Sequence, residues 1–208
     1  IPAIRELGVP VLEEVSSPIM FRIDERIAPH NLYADTELVR EYVDSKGFLF
    51  NQDINPLYNF GSNQNNWTPG ANRVTLKYSE KTTVIWKLDT DQYSRFIADG
   101  YAPNTEAVAH NFITRDGYED ILQSPTILVI QGPLYNDEAT TLPSVLTVGV
   151  GPVTIFHEGK YIEGTWRRND ISDPFEFLDT NQNKIDVPPS KQWIHILPLN
   201  GEITISDN

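Results

Sequence analysis

The chain has 208 residues, of which 39% are hydrophobic, and this is enough for a large domain with an apolar core. It carries 16 basic and 29 acidic residues, and the resulting net charge of −13 argues against binding to nucleic-acid phosphates or to an anionic membrane surface. The absence of cysteine excludes disulfides, thiolate metal sites and thiol nucleophiles. No apolar run approaches the roughly 20 residues that a membrane-spanning helix needs.

The N-terminal part contains two predicted helices. Residues 1–14 (IPAIRELGVPVLEE) have apolar residues at helical spacing, and Pro10 interrupts them, so we expect a short helix followed by a loop. Residues 35–46 have an acidic first turn, Leu38 and Tyr42 four residues apart, and a glycine stop after the last turn. This second segment carries the clearest helix pattern in the chain.

A boundary between subdomains is predicted at residues 51–70 (NQDINPLYNFGSNQNNWTPG). This segment holds six asparagines, two prolines and two glycines, a composition typical of a long irregular connection. Short runs of β-branched residues follow it, namely RVTLKYS, TTVIWKLD, TILVIQG and SVLTVGV. We therefore expect two domains, residues 1–70 and a β-rich domain of residues 71–208.

The C-terminal 60 residues are predicted to form a meander of antiparallel strands. In GPVTIFHEGKYIEGTWRR, Glu158–Gly159 is a two-residue turn, which pairs Ile155 with Ile162 and Phe156 with Tyr161 on opposite faces. Both faces carry bulky residues, so both should be covered. Further strand pairs are expected around TNQN and around Asn-Gly in KQWIHILPLNGEITIS. The predicted fold class is α+β, a layered sandwich of mixed and antiparallel sheets with a few helices and a strand-rich C-terminal half.

Several separated motifs, in order between Met20 and Leu197, resemble the YerB-like family of predicted bacterial envelope lipoproteins. The motifs are MFRIDERIAPHNLYADTELV, VTLKYSEKTTVIWKLDTDQYSRFIADG, GKYIEGTWRR, DPFEFLDTNQNKI and KQWIHILPL. The resemblance implies an extracytoplasmic location and a mixed α/β layered fold, and it implies no reaction. A lipid anchor would be the sole link to a membrane.

The chain departs from the family pattern in three places. The lipobox-type signal and the N-terminal portion with a Gly-Pro-Val-Arg-type motif are not in this sequence, so residues 1–70 are expected to be the remainder of an N-terminal α/β domain. The aspartate-glycine turn of the last hairpin is replaced by 181–183 (NQN), and a glycine before the late lysine is replaced by Ser190. A missing segment or chain is therefore an expected partner.

The segment from Arg22 to Asn31 concentrates groups that could bind an anion or a sugar acid. Arg22 or Arg26 could hold a carboxylate in a bidentate fork, and His30 could act as an acid or base. The alternative is an ion-paired loop in which His30 and Asn31 bond backbone groups ahead of the helix.

Two arginine pairings could recognise a ring or a carboxylate. Tyr93 and Arg95 are two residues apart and share a face of an extended strand, and Arg167 and Arg168 follow Trp166 at a strand end. The alternative is that these arginines bond backbone carbonyls and tie strands to loops.

The asparagine-rich loop has the content of a carbohydrate platform. Tyr58, Phe60 and Trp67 offer aromatic faces for sugar C–H surfaces, and the amides suit hydroxyl groups. The alternative is a long loop that the three aromatic residues pin to the core.

No metal or cofactor site is predicted. Residues 179–183 imitate the start of a calcium loop, but Lys184 and Ser190 stand where the loop needs glycine and glutamate, so the segment indicates a turn. His157 and His195 have no partner spacing that suggests a metal, and structural roles are expected for both.

The leading functional hypothesis is a non-catalytic envelope protein that binds a cell-wall polymer or another envelope protein. The alternative is a hydrolase or lyase of wall glycans, in which two of Asp24, Glu25 and Asp99 form an acid and base pair assisted by His30. A structural module of a surface assembly is a third hypothesis, for which a broad exposed apolar patch would be the mark.

Overall fold

A computed structural model describes residues 19–28, 31–47, 56–64, 66–99, 107–113, 117–136 and 142–207. The chain divides into a first unit, residues 1–54, and a second unit, residues 55–208. About 55% of the described residues lie in strands and 6% in the one described helix, so the expected α+β class with a few helices is wrong and the fold is mainly β. The reason is that the apolar residues of the second unit lie in short β-branched runs bounded by turn residues, which form strands.

The described part of the first unit is a hairpin followed by the predicted helix. Strands β1 (Met20–Arg22) and β2 (Leu32–Ala34) pair antiparallel, and helix α1 spans Thr36–Ser45. Asp35 caps this helix, since its Oδ1 accepts a hydrogen bond from the backbone N–H of Glu37 at 2.9 Å. The helix prediction is confirmed, whereas the helix expected within residues 1–14 lies outside the described residues.

The second unit contains two large sheets. Its strands are β3 (Thr68–Pro69), β4 (Arg73–Ser79), β5 (Thr82–Asp89), β6 (Gln92–Asp99), β7 (Val108–Ala109), β8 (Asn111–Ile113), β9 (Glu119–Ile121), β10 (Gln123–Ser124), β11 (Thr126–Gly132), β12 (Leu134–Asn136), β13 (Pro143–Val145), β14 (Gly149–His157), β15 (Lys160–Arg168), β16 (Glu176–Leu178), β17 (Gln192–Pro198) and β18 (Glu202–Ser206). The outer sheet has the order β10-β6-β5-β4-β18, with β7 also on β6, and the central sheet has the order β16-β15-β14-β11-β17, with β3 also on β15. The pairs β8–β9 and β12–β13 form separate small ribbons.

The predicted register of the β14–β15 hairpin is confirmed. Ile155 pairs with Ile162, Phe156 pairs with Tyr161, and the turn residues Glu158 and Gly159 have φ angles of +48° and +73°. Two consecutive positive φ angles are the geometry of a type I′ turn, whose twist matches that of the strands.

Both faces of the central sheet are buried, as the bulk on both faces of the hairpin predicts. One face packs against the outer sheet, and this core contains Val74, Leu76, Trp86, Ile127, Val129 and Phe156. The other face packs against irregular segments, residues 57–64, 66–67 and 179–187, which we call the cover. This second core contains Tyr58, Trp67, Leu128, Ile155, Trp166 and Val187.

The strand pair expected around Asn200–Gly201 does not form. Strand β17 pairs in parallel with β11 in the central sheet, and β18 pairs antiparallel with β4 in the outer sheet. The turn therefore carries the chain from one sheet to the other, and the C-terminal residues are not a simple antiparallel meander. An Asn-Gly pair predicts a chain reversal, but it does not determine which strands pair after it.

We predict that Gly151→Ala destabilises the second unit by about 2 to 4 kcal/mol, because overpacking and a strained hydrogen bond act together. A methyl group at Gly151 would meet the Gln131 carbonyl oxygen and would lie 2.6 Å from Trp166 Nε1, which donates to that oxygen at 2.7 Å. Urea unfolding measures the change. Val150→Ala is the matched control, since Val150 is 66% exposed and its truncation should cost less than about 0.5 kcal/mol. Equal stabilities of the two variants would contradict this packing.

Candidate functional site

The hairpin of the first unit brings Arg22 and Asn31 together. Arg22 Nη1 donates a hydrogen bond to Asn31 Oδ1, and Asn31 Nδ2 donates to the Ile23 carbonyl oxygen at 3.0 Å. Asn31 therefore bridges a side chain and the backbone of the neighbouring strand. Arg26 is half-buried, whereas His30 lies outside the described residues.

Of the three carboxylates proposed for the hydrolase alternative, two belong to the first unit and one to the second. Asp24 and Glu25 are exposed residues of the first unit, between β1 and β2. Asp99 is the last residue of β6 in the second unit, and its side chain lies outside the described positions. A paired-carboxylate site therefore stays a prediction.

Tyr93 lies in the core between the two large sheets. Its side chain is fully buried, and its hydroxyl donates to the Ala71 carbonyl oxygen at 2.9 Å and accepts from the Gly159 N–H at 3.1 Å. These two bonds use both the donor and an acceptor position of the Tyr93 hydroxyl, and they link the β14–β15 turn to the outer sheet. Burial raises the pKa of Tyr93 to about 12, so the hydroxyl stays protonated.

Arg95 shares the inner face of β6 with Tyr93, as expected for residues two apart on a strand. Its guanidinium carbon lies 5.0 Å from the ring centroid of Trp193 and 5.9 Å from that of Trp86. Its Nη1 contacts Nδ1 of His110. Burial lowers the pKa of Arg95 from its ordinary value.

A hydrogen-bonded relay of three side chains lies beside Arg95. Trp86 Nε1 donates to His195 Nε2 at 2.8 Å, and His195 Nδ1 lies 2.5 Å from the Tyr78 hydroxyl. An indole nitrogen can only donate, so Nε2 accepts and Nδ1 of a neutral imidazole carries the hydrogen. His195 therefore donates to Tyr78. Burial lowers the pKa of His195 to about 3, and the charge of Arg95 acts in the same direction.

Two adjoining depressions of about 240 and 350 Å³ lie where the cover meets β15, and both are walled by Asn66, Ile162 and Asp179. Together we call them the amide groove. Its polar lining includes Asn63, Asn66, Asn181, Asn183, Asp179, Asp186, Glu163 and Lys184. Trp67 also lines it, but the indole is only 8% exposed and packs mostly into the core.

Asp179 fixes the turn that forms one wall of the amide groove. Its carboxylate accepts hydrogen bonds from the backbone N–H groups of Asn181 and Asn183, both at 2.8 Å, and from Asn183 Nδ2 at 3.0 Å. The bonds from Asn183 are the main reason that the pKa of Asp179 is lowered. The turn places the exposed Asn181 in the lining of the depression of about 350 Å³, which Asn66 also lines.

A third depression, of about 360 Å³, adjoins the amide groove. We call it the cationic depression, and it is lined by Asn59, Arg167, Arg168, Phe175, Glu176 and Lys184. Arg167 Nε lies 2.6 Å from Glu176 Oε2, and Lys184 Nζ lies 3.2 Å from Oε1 of the same carboxylate. One carboxylate thus faces two cations, and Lys184 lines both the cationic depression and the amide groove.

Arg168 has a mainly structural position. Its Nε donates to the Asp173 carbonyl oxygen at 2.7 Å, and its guanidinium lies 4.8 Å from the Phe175 ring centroid. This matches the alternative in which the arginine ties a strand to a loop. Arg167 differs, since its side chain is 50% exposed.

Sequence reasoning identified Trp67 and Arg167 but missed Asn66, Asn181 and Lys184. The asparagine-rich composition of residues 51–70 and the TNQN turn were both visible. The sequence did not show that these two segments lie close together, because this depends on both of them packing on one face of the central sheet. Among the described residues, no group of three or more His, Cys, Asp or Glu is placed to hold a metal ion.

We predict that His195 makes the second unit less stable in acid. Its pKa is lowered in the folded chain, so its contribution is complete above about pH 6.5 and is lost as the pH falls towards 3. In that window only the unfolded chain takes up the proton, which reduces the free energy of unfolding by up to ~1.4 kcal/mol per pH unit. Urea unfolding between pH 7 and 5 should show a shallower decline for His195→Gln. Parallel declines for the two proteins would contradict a neutral, buried imidazole.

Comparison with known structures supports the fold. The crystal structure of YerB protein from Bacillus subtilis matches with a TM-score of 0.72 and 17% sequence identity, over 98% of this chain and 66% of that chain. This chain therefore spans slightly less than two thirds of the length of that protein. At this identity the likeness shows the fold alone. None of the curated proteins matches. No described helix is long and apolar enough to cross a membrane.

The family follows from the sequence match. Residues 74–194 match the C-terminal domain of DUF3048, a protein of unknown function. The match begins in β4 and ends in β17, so it spans both large sheets. Because it covers more than half of the 208 residues, this chain belongs to the YerB-like DUF3048 family.

Proposed function

We propose that this chain is a non-catalytic binding module of the bacterial cell envelope that binds a hydroxyl-rich wall polymer in the amide groove. The observation that carries the proposal is the lining of the groove. Asn66 and Asn181 line the same depression, and the apolar residues Trp67 and Ile162 are also part of the groove lining. Amides donate to and accept from sugar hydroxyls, carboxylates accept from them, and the apolar floor suits C–H surfaces.

The cationic depression adds a subsite for anionic groups of the ligand beside the amide groove. The chain has a net charge of −13, so it would repel a polyanion as a whole. Three cations, Arg167, Arg168 and Lys184, and two carboxylates, Asp173 and Glu176, line the depression, which leaves one positive charge in excess beside the groove. A polymer with hydroxyl groups and spaced anionic groups, as in bacterial walls, would match the amide groove and the cationic depression together.

The cellular location is part of the same proposal. The motifs shared with YerB-like envelope lipoproteins support an extracytoplasmic site of action, with membrane attachment only through a lipid anchor on a longer chain. A non-catalytic role is part of the proposal, and the release of wall fragments described below tests it.

We expect the double variant Asn66→Ala, Asn181→Ala to bind purified wall sacculi about tenfold more weakly than wild type. Each lost amide removes a hydrogen bond of about 0.5 to 1.5 kcal/mol. Co-sedimentation at several protein concentrations measures the change. Asn136→Ala is the matched control, because Asn136 is exposed on β12 and lines neither depression.

Two outcomes would contradict the proposal. Binding by the double variant equal to that of Asn136→Ala would remove the groove from the binding surface. Release of sugar or peptide fragments, at a rate that falls in Asp24→Asn and Glu25→Gln variants, would make the protein an enzyme.

The cationic depression generates a separate expectation for Arg167→Gln. Loss of this cation should weaken binding to sacculi that retain their phosphate polymers, and should change binding little once those polymers have been removed chemically. The salt dependence of binding should become shallower as well. Arg40→Gln, on the exposed side of α1, is the charge-matched control. Equal effects of Arg167→Gln on both kinds of sacculi would exclude an electrostatic role.

A further inference from the structure

Arg95 is a half-buried cation on the opposite side of the central sheet from the amide groove. It lies across from Trp86 in the pairing of β5 with β6, and its guanidinium lies 5.0 Å from the Trp193 ring centroid. Trp193 is the β17 residue that pairs with Ile127, in the core between the two sheets. Arg95 therefore lies at the border of this core and not on the open surface.

The hydrogen bonds of Arg95 are incomplete. A guanidinium has five N–H donors, and within the described part of the chain its side chain contacts one acceptor, Nδ1 of His110. Arg95 Nε is sealed from solvent with no acceptor, and it is the one buried side-chain nitrogen or oxygen of the described residues in this condition. A buried unpaired donor on a charged group is costly. Nη2 also has no protein acceptor, and solvent reaches it.

No carboxylate in the described structure compensates the charge of Arg95, although the chain has 29 acidic residues. Two of the groups near it, His195 and Tyr78, are neutral. His195 is neutral because burial lowers its pKa to about 3, and burial raises the pKa of Tyr78 to about 12. An anion from outside the chain would therefore be stabilised beside Arg95, because it would compensate this charge.

The Tyr78 hydroxyl provides a second donor. His195 Nδ1 donates to the Tyr78 oxygen at 2.5 Å, because Nε2 is occupied by the indole N–H of Trp86. The O–H of Tyr78 then has its own hydrogen left to donate, and the described structure gives it no acceptor. The charges of Tyr78 and Arg95 influence each other, so the two groups lie within electrostatic range.

We propose that Arg95 and Tyr78 form a binding site for the carboxylate of a small ligand whose apolar body packs on Trp193. The guanidinium supplies the charge and a planar N–H donor, and Tyr78 supplies an O–H donor held in place by the relay through His195. The half-buried indole of Trp193 supplies an apolar wall. A single carboxylate matches the single cation. This site lies apart from the amide groove, so it does not rest on the proposed function.

Titration with benzoate tests the site, with benzamide as the neutral isostere and ionic strength held constant with sodium chloride. In wild type we expect saturable shifts of the Arg95 Nε–Hε NMR resonance and saturable quenching of tryptophan fluorescence with benzoate only. Arg95→Met should weaken binding at least tenfold, and Tyr78→Phe about threefold to tenfold. Arg40→Met, on the exposed helix α1, should bind as wild type does.

Three results would overturn the proposal. They are shifts that rise linearly with benzoate without saturation, equal binding of benzamide, and retained benzoate binding by Arg95→Met. If Arg95→Met does not fold, the wild-type titration decides, together with Arg95→Lys, which keeps the charge but loses the planar donors and should bind more weakly. Full affinity in a folded Arg95→Lys variant would count against recognition by the guanidinium.

Discussion

The central sheet must be covered on both faces, and the rest of the second unit depends on this requirement. Strand β11, from Thr126 to Gly132, is buried along almost its whole length and lies between β14 and β17. A strand with apolar side chains on both faces is stable only as the middle layer of three. The outer sheet supplies one neighbouring layer, and the irregular cover supplies the other.

The two candidate binding surfaces lie on opposite faces of the central sheet, because a different layer packs on each face. The irregular cover turns aromatic residues such as Tyr58 inwards and leaves its amides outside, which creates the amide groove. The core between the outer sheet and the central sheet includes the polar rings of Trp86 and His195. The hydrogen bond between them pairs their ring nitrogens while His195 is neutral. At the edge of this core Arg95 keeps a charge that no described carboxylate neutralises.

Local features were predictable from the sequence, and long-range pairing was not. The register around Glu158–Gly159 followed from a two-residue turn, and the helix after Asp35 followed from its cap and its glycine stop. The strand pair predicted around the Asn200–Gly201 turn was wrong, because β17 pairs with β11, more than sixty residues earlier in the chain. The sequence left two interpretations of Trp67 open, a surface platform and an anchor of the loop to the core, and its ring packs mainly into the core.

Binding in the amide groove is the central functional claim. The most direct measurement is ¹⁵N NMR of the chain titrated with soluble glycan fragments of the wall. We expect the side-chain amide resonances of Asn66 and Asn181 to shift first and to saturate together, with Trp67 following. Saturable shifts confined to Arg22 and Asn31 in the first unit, with the groove amides unchanged, would contradict it.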